Sequence, residues 1–260
     1  MNHWTNLSIE FANQKNYLDE LFKVYPSIPN CIRNVNNGVW EKIEQSFNQH
    51  NNIELVNSLL KCDLFPIKDS YIAYLKRDKS AIERNPQTVN RIAGNLYEMG
   101  LDKIFERCCE PKETNRQIGP LFKRWVRTGV LGMMPVSVKT FMSSSENAIL
   151  DASDSEMLRW AKETVGYKRE KGLDFAARFN GKYVIGEAKF LTDFGGHQNA
   201  QFEDAMLTLN AEVNNAVKIA ILDGVVYING NNKMHKALLQ ESENNIILSA
   251  LMLREFLYSI

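Results

Sequence analysis

The sequence predicts a mixed α/β (α+β) fold, with a helical N-terminal part followed by a central mixed β-sheet flanked by helices. Three observations predict it. Apolar residues recur three and four apart through about the first 110 positions, the period of half-buried helices. Asn180-Gly181 lies between two strand-like runs, the strongest short-range hairpin signal. From there to the C-terminus, strand-period and helix-period segments alternate. With 260 residues, 44% hydrophobic and 10% aromatic, the chain has enough apolar surface to build a core, which excludes disordered and collagenous classes.

In chain order, NYLDELFKVY, WEKIEQSFNQ and ELVNSLLK read as amphipathic helices, punctuated at Ser27–Asn30 and at Phe65-Pro66. Asn85-Pro86 opens another helix, whose apolar face is Val89, Ile92, Ala93, Leu96 and Tyr97 and which ends near Gly100. Residues 1–113 form a helical region, either separate or packed as part of one domain with residues 114–260. Thr114 to Ser145 carries Arg116, Lys123, Arg124, Arg127 and Lys139 and no acid. Ser153 and Glu156 make a capping-box pattern ahead of MLRWAKETV, and after Gly166 the period changes to two. LDFAARF, Asn180-Gly181 and KYVIGEAKF form one hairpin; KIAIL, Asp223-Gly224 and VVYI are expected to form a second. HQNAQFEDAMLTLNAEV between them and NNIILSALMLREFLYSI at the end read as helices.

Thirty-one basic and thirty-one acidic residues cancel, which excludes a histone-like, nonspecific DNA coat; a polyanion site has to come from local asymmetry. Cys31, Cys62, Cys108 and Cys109 lack zinc-site spacing and read as reduced, mostly buried thiols. No run approaches the roughly 20 apolar residues of a membrane span, and the first residues lack a signal-peptide pattern, so the expected location is cytoplasmic and no membrane partner is expected.

A two-residue Asn180-Gly181 turn sets Phe179 opposite Lys182 and, by the same register, Asp174 opposite Glu187. Side chains two apart share a strand face, so Lys189 joins the two acids. Two carboxylates roughly 5 Å apart repel each other unless a cation sits between them. Mg2+, which takes one or two carboxylates plus phosphate and water, is the natural occupant, with the Ala188 carbonyl as a further ligand. Lys189 would orient water or stabilise charge on a phosphate, and the set suits metal-assisted phosphodiester hydrolysis. An acid-any-lysine triplet arises by chance about twice in such a chain, as at Glu110-Pro-Lys112, where proline disfavours a central strand. The competing interpretation is a solvated charge pair on an exposed sheet face.

GLDFAARFNGKYVIGEAKFLTDFGGHQNAQFEDA resembles the PD-(D/E)XK nuclease superfamily, and within it the type II restriction endonucleases, with Asp174 and Glu187-Ala188-Lys189 as the motif. Leu173 stands where the motif has proline. The resemblance covers about the last 150 residues, extending less sharply to NRQIGPLFKRW, and leaves the helical first hundred unmatched. It implies a restriction-endonuclease-like core over residues 114–260, Mg2+-dependent cleavage of double-stranded DNA at a short sequence, and frequent action as a homodimer. A DNA methyltransferase is the expected genomic companion. Many such nucleases add a glutamate from the preceding helix; of Glu156, Glu163 and Glu170, Glu163 is chosen here, against the commoner role of a solvated helix acid.

Arg116, Lys123, Arg124 and Arg127, with Lys139, suit phosphate contacts that position a duplex without reading it; an ordinary solvated face is the alternative. His197, Gln198, Asn199 and Gln201, after Gly195-Gly196, put amides and backbone N–H groups at a helix start, where they would meet adenine edges or phosphate, or simply cap the helix. Two other functions remain open: a repair or recombination nuclease with the same site, and a non-catalytic DNA-binding module.

Overall fold

The computed structural model describes residues 1–14, 16–26, 33–110 and 118–260. It contains two compact units, Met1–Ser27 with Thr114–Ile260, and Ile28–Glu113. The first 27 residues, read from the sequence with the helices that follow them, therefore belong with the sheet. The larger unit opens with α1 (His3–Ala12) and α2 (Tyr17–Val24). The smaller is all helical among its described residues: α3 (Asn37–Asn48), α4 (Asn52–Leu59), α5 (Ile72–Arg77), α6 (Ala81–Arg84), α7 (Pro86–Met99) and α8 (Leu101–Cys108). Pro86 occupies the first turn of α7, where its missing N–H costs nothing, and Val89, Ile92 and Leu96 join Leu55, Leu59 and Ile104 in one core. Cys62, Cys108 and Cys109 are free and buried there; Cys31 lies outside the described residues.

The larger unit resumes with α9 (Ile118–Val126), α10 (Val138–Met142), β1 (Ala148–Ile149), α11 (Asp154–Val165), β2 (Phe175–Phe179), β3 (Lys182–Leu191), α12 (Gly196–Leu209), β4 (Ala216–Gly224), α13 (Lys233–Glu241), β5 (Ile246–Leu248) and α14 (Leu253–Ser259). Ser153 and Glu156 form the capping box at the start of α11. The sheet order is β1-β2-β3-β4-β5, antiparallel from β1 to β3 and parallel from β3 to β5, so the sheet is mixed as the fold class requires. Phe179 pairs with Lys182, and Asn180 (φ 49°) and Gly181 (φ 76°) adopt the left-handed conformations of a type I′ turn.

The second expected hairpin does not form. β4 runs through Asp223-Gly224 parallel to β3, Val225–Tyr227 turn as a short 3-10 segment, and the next strand is Ile246–Leu248, at the start of what had read as the closing helix. The Asp223 carboxylate, fully buried, accepts hydrogen bonds from Tyr25 Oη (3.0 Å), Ser249 Oγ and the Ala250 N–H (3.3 Å). Gly224 (φ 94°) serves close packing: a Cβ there would lie 2.1 Å from the Leu191 carbonyl oxygen. α1 packs on β5, with Thr5 Oγ1 donating to the Ile247 carbonyl at 2.7 Å and the Ser249 N–H donating to Ser8 Oγ at 2.9 Å.

Both faces of the hairpin's centre are covered. Every residue of β2 and Val184 to Ala188 of β3 are buried. Ala176 and Ile185 pack against Trp160, Val165 and Tyr167, so the charged end of the hairpin grows out of a dry core.

Candidate active site

Asp174 stands one residue before β2, whose ladder with β3 ends at Phe175–Gly186. Its N–H donates to the Gly186 carbonyl at 3.1 Å, a bond one residue off that register, and its Oδ2 accepts the Ala188 N–H at 3.1 Å, which ties Asp174 to β3 beside Glu187. Lys189, two residues along the same face, places its ammonium against Glu187 Oε1 and 3.7 Å from Asp174 Oδ2. The three groups named from the turn arithmetic thus meet. Glu187 is only 1% exposed, which a solvated surface pair would not produce.

Burial pushes the Glu187 carboxyl up to about 7, and the Asp174 charge adds to the rise, against the lowering pull of Lys189 and Lys171. Glu187 Oε1 contacts both Lys171 and Lys189, while Oε2 is buried with no hydrogen-bond partner among the described residues. Lys171 also contacts Asp204 Oδ2, and Arg169 Nη2 holds Asp204 Oδ1 at 3.1 Å. Burial tends to raise the Asp204 carboxyl, but its bonds to Lys171 and Arg169 outweigh that and keep it below the ordinary range. Sequence reasoning missed Lys171, Arg169 and Asp204. One legible signal existed: His197, Gln201 and Asp204 stand at i, i+4 and i+7, a polar stripe down one face of α12.

An open pocket of about 290 Å³ is lined by Gly119, Asp174, Ala188, Lys189, Gln201 and Asp204, together with His197. A second, of about 450 Å³, shares Gly119 and Asp174 with it and is lined by Pro120, Lys123, Arg124 and Arg127. The basic segment therefore borders Asp174. Acids from outside the segment partly neutralise it, since Lys123 pairs with Asp154 and Arg127 Nη2 with Asp151 at 2.7 Å. Arg124 is exposed and has no acidic partner among the described residues. Lys139 is exposed on α10, and Arg116 lies outside the described residues.

His197 accompanies Gln201 to the pocket, their ring and amide nitrogens 2.9 Å apart. Gln198 turns inward instead, buried and donating to Thr192 Oγ1 at 3.1 Å, while Asn199 is exposed. Glu163 is exposed on α11 and does not line either pocket; the acid that joins the cluster is Asp204 of α12.

Among the described residues, no group of three or more His, Cys, Asp or Glu side chains could hold a metal ion by itself. The hairpin offers a sparser set. Asp174 and Glu187 supply carboxylate oxygens, one of them the orphaned Oε2. Ala188 adds a carbonyl: its N–H points to Asp174, and the N–H and C=O of one strand residue share a direction. Two carboxylates and a carbonyl, completed by phosphate and water, fit the oxygen preference of Mg2+.

A family model described as Tsp45I type II restriction enzyme matches residues 2–260. No curated protein and no solved structure matches the chain.

Proposed function

The chain belongs to the Tsp45I type II restriction enzyme family, and from that premise we propose that it hydrolyses double-stranded DNA at a short specific sequence with Mg2+, using a PD-(D/E)XK site made of Asp174, Glu187 and Lys189. The observation that carries this reading is the buried Glu187, clustered with Asp174 and Lys189 and with one oxygen unpartnered among the described residues. Lys171 and Lys189 satisfy Oε1, and a buried carboxylate oxygen left unpaired, as Oε2 is, costs stability that a bound cation would offset.

Asp174, Glu187 and the Ala188 carbonyl would hold the ion. When bound, Mg2+ supplies Lewis-acid polarisation of a phosphoryl oxygen and a water of lowered pKa. The Lys189 ammonium, already among these carboxylates, is placed to orient the attacking water and to offset charge building on the phosphate. Arg124, flanked by Lys123 and Arg127, borders Asp174 and would take neighbouring phosphates. Lys123 and Arg127 would exchange their present carboxylate partners for phosphate. His197 and Gln201, at the start of α12 and facing the pocket, with exposed Asn199 beside them, are the groups proposed to meet the DNA from that side. Gln198 braces the loop through Thr192.

Two such sites, one from each chain of a homodimer, would cut the two strands together. Its substrate places it in the cytoplasm, and its host needs a methyltransferase of matching specificity; no described helix is long and apolar enough to cross a membrane. The test is digestion of several plasmids of known sequence. Discrete fragments sharing one end sequence, formed with Mg2+ and absent with EDTA, are expected; smears, or cutting confined to branched or damaged DNA, would overturn the site-specific reading.

A further inference from the structure

Lys171 makes the contact a bridging cation would make. Its ammonium touches Glu187 Oε1 and Asp204 Oδ2 together, tying the strand carboxylate to the helix carboxylate. Glu187 Oε1 also receives Lys189, and Lys189 lies 3.7 Å from Asp204 Oδ2. The two oxygens through which Glu187 and Asp204 would share an ion thus face ammonium groups. The oxygen of Glu187 left over is Oε2.

We infer that Lys171 holds the place of a second divalent cation, so that each active site takes one ion, and that Lys171 acts as a positioning residue for Glu187. The inference rests on the metal-dependent reading of the hairpin given above. Charge balance supports it. The carboxylates of Asp174, Glu187 and Asp204 are matched by the cations of Lys171, Lys189 and Arg169. One divalent ion leaves the cluster two units positive, which a bound phosphodiester and the charge developing on it can offset. A second would leave it four units positive with Lys171 still in place, or would require Lys171 to give up two charge-assisted hydrogen bonds. Arg169 completes the device. By holding Asp204 Oδ1 at 3.1 Å and Thr208 Oγ1 at 2.6 Å, it fixes the helix carboxylate against Lys171.

Mn2+ is the probe, added to the full chain without DNA, with the bound ions counted from the loss of the free-ion paramagnetic resonance signal. Wild type and Lys171→Arg are expected to bind one ion per chain and Lys171→Met two. Lys171→Met combined with Asp204→Asn should return to one. A merely structural Lys171 would leave the count unchanged. Two ions on wild type, or one on a folded Lys171→Met chain, would overturn the inference and leave the metal-dependent reading standing. No ion on any of the four proteins would remove that reading, and the inference with it.

Discussion

Replacing Glu187 by Gln should separate what the buried carboxyl costs the fold from what it gives the site. Its proton affinity is raised from an ordinary 4.5 to about 7, chiefly by burial and then by the Asp174 charge. A carboxyl whose folded value is raised contributes stability that is fully present below its unfolded value and is lost as pH rises through the folded one. At about 1.4 kcal/mol per pKa unit, the loss between pH 5 and pH 8 comes to roughly 2–3 kcal/mol. Gln does not titrate and escapes it. Urea unfolding followed by tryptophan fluorescence in EDTA should show the stability of wild type, relative to Glu187→Gln, falling by that amount across the interval. Mg2+ at pH 8 should then restore wild type, because an ion that binds only the folded state stabilises it, and should leave the variant unchanged. The variant should also have lost DNA cleavage. Parallel pH curves for the two proteins would refute the assignment of a raised carboxyl at this position.

Glycine chemistry gives a contrasting pair: Gly181→Ala, with nothing within 4 Å of the added Cβ, should cost about 1 kcal/mol of backbone strain. Gly224→Ala, whose Cβ would lie 2.1 Å from the Leu191 carbonyl, should cost roughly 3 kcal/mol or more, and equal losses in thermal melts would contradict the packing argument. Arg124→Ala should lower the slope of log affinity against log salt on a nonspecific duplex by about one unit. Arg127→Ala should lower it less, because Arg127 gives up Asp151 to meet a phosphate; no change for Arg124 would mean that it faces solvent. Asp204→Asn should slow plasmid cleavage at fixed Mg2+ while Glu163→Gln leaves it unchanged, and the reverse order would restore Glu163 to the site.

The charged hairpin was legible because its geometry is local. A two-residue turn sets the ladder by arithmetic as far as Phe175–Gly186, and Asp174, Glu187 and Lys189 lie one to three residues beyond it, where the motif resemblance drew attention to them. Asp223-Gly224 carried the same local signal and misled. Its aspartate is satisfied by Tyr25 and Ser249, 198 and 26 residues away, and its glycine by the nearby end of β3. A strand covered on both faces shows a continuous apolar run that does not reveal whether its neighbours are parallel or antiparallel. The pairing of α1 with β5 was hidden for the same reason, since Thr5 and Ser8 find partners more than 240 residues along the chain. Lys171 and Arg169 sit in a loop with no period to read, and the acids that neutralise Lys123 and Arg127 lie just beyond the stretch whose composition drew attention.

The central claim, that the Asp174–Glu187–Lys189 cluster hydrolyses a phosphodiester, is tested most directly by single-turnover cleavage with Lys189→Met, once plasmid digests have revealed the cognate site. Methionine keeps most of the apolar stem and removes the ammonium that lies against Glu187 Oε1 and 3.7 Å from Asp174 Oδ2. The account predicts a rate lower by about 10² or more, with DNA affinity in Ca2+ nearly unchanged. A Lys189→Met protein that cuts at close to the wild-type rate would contradict it.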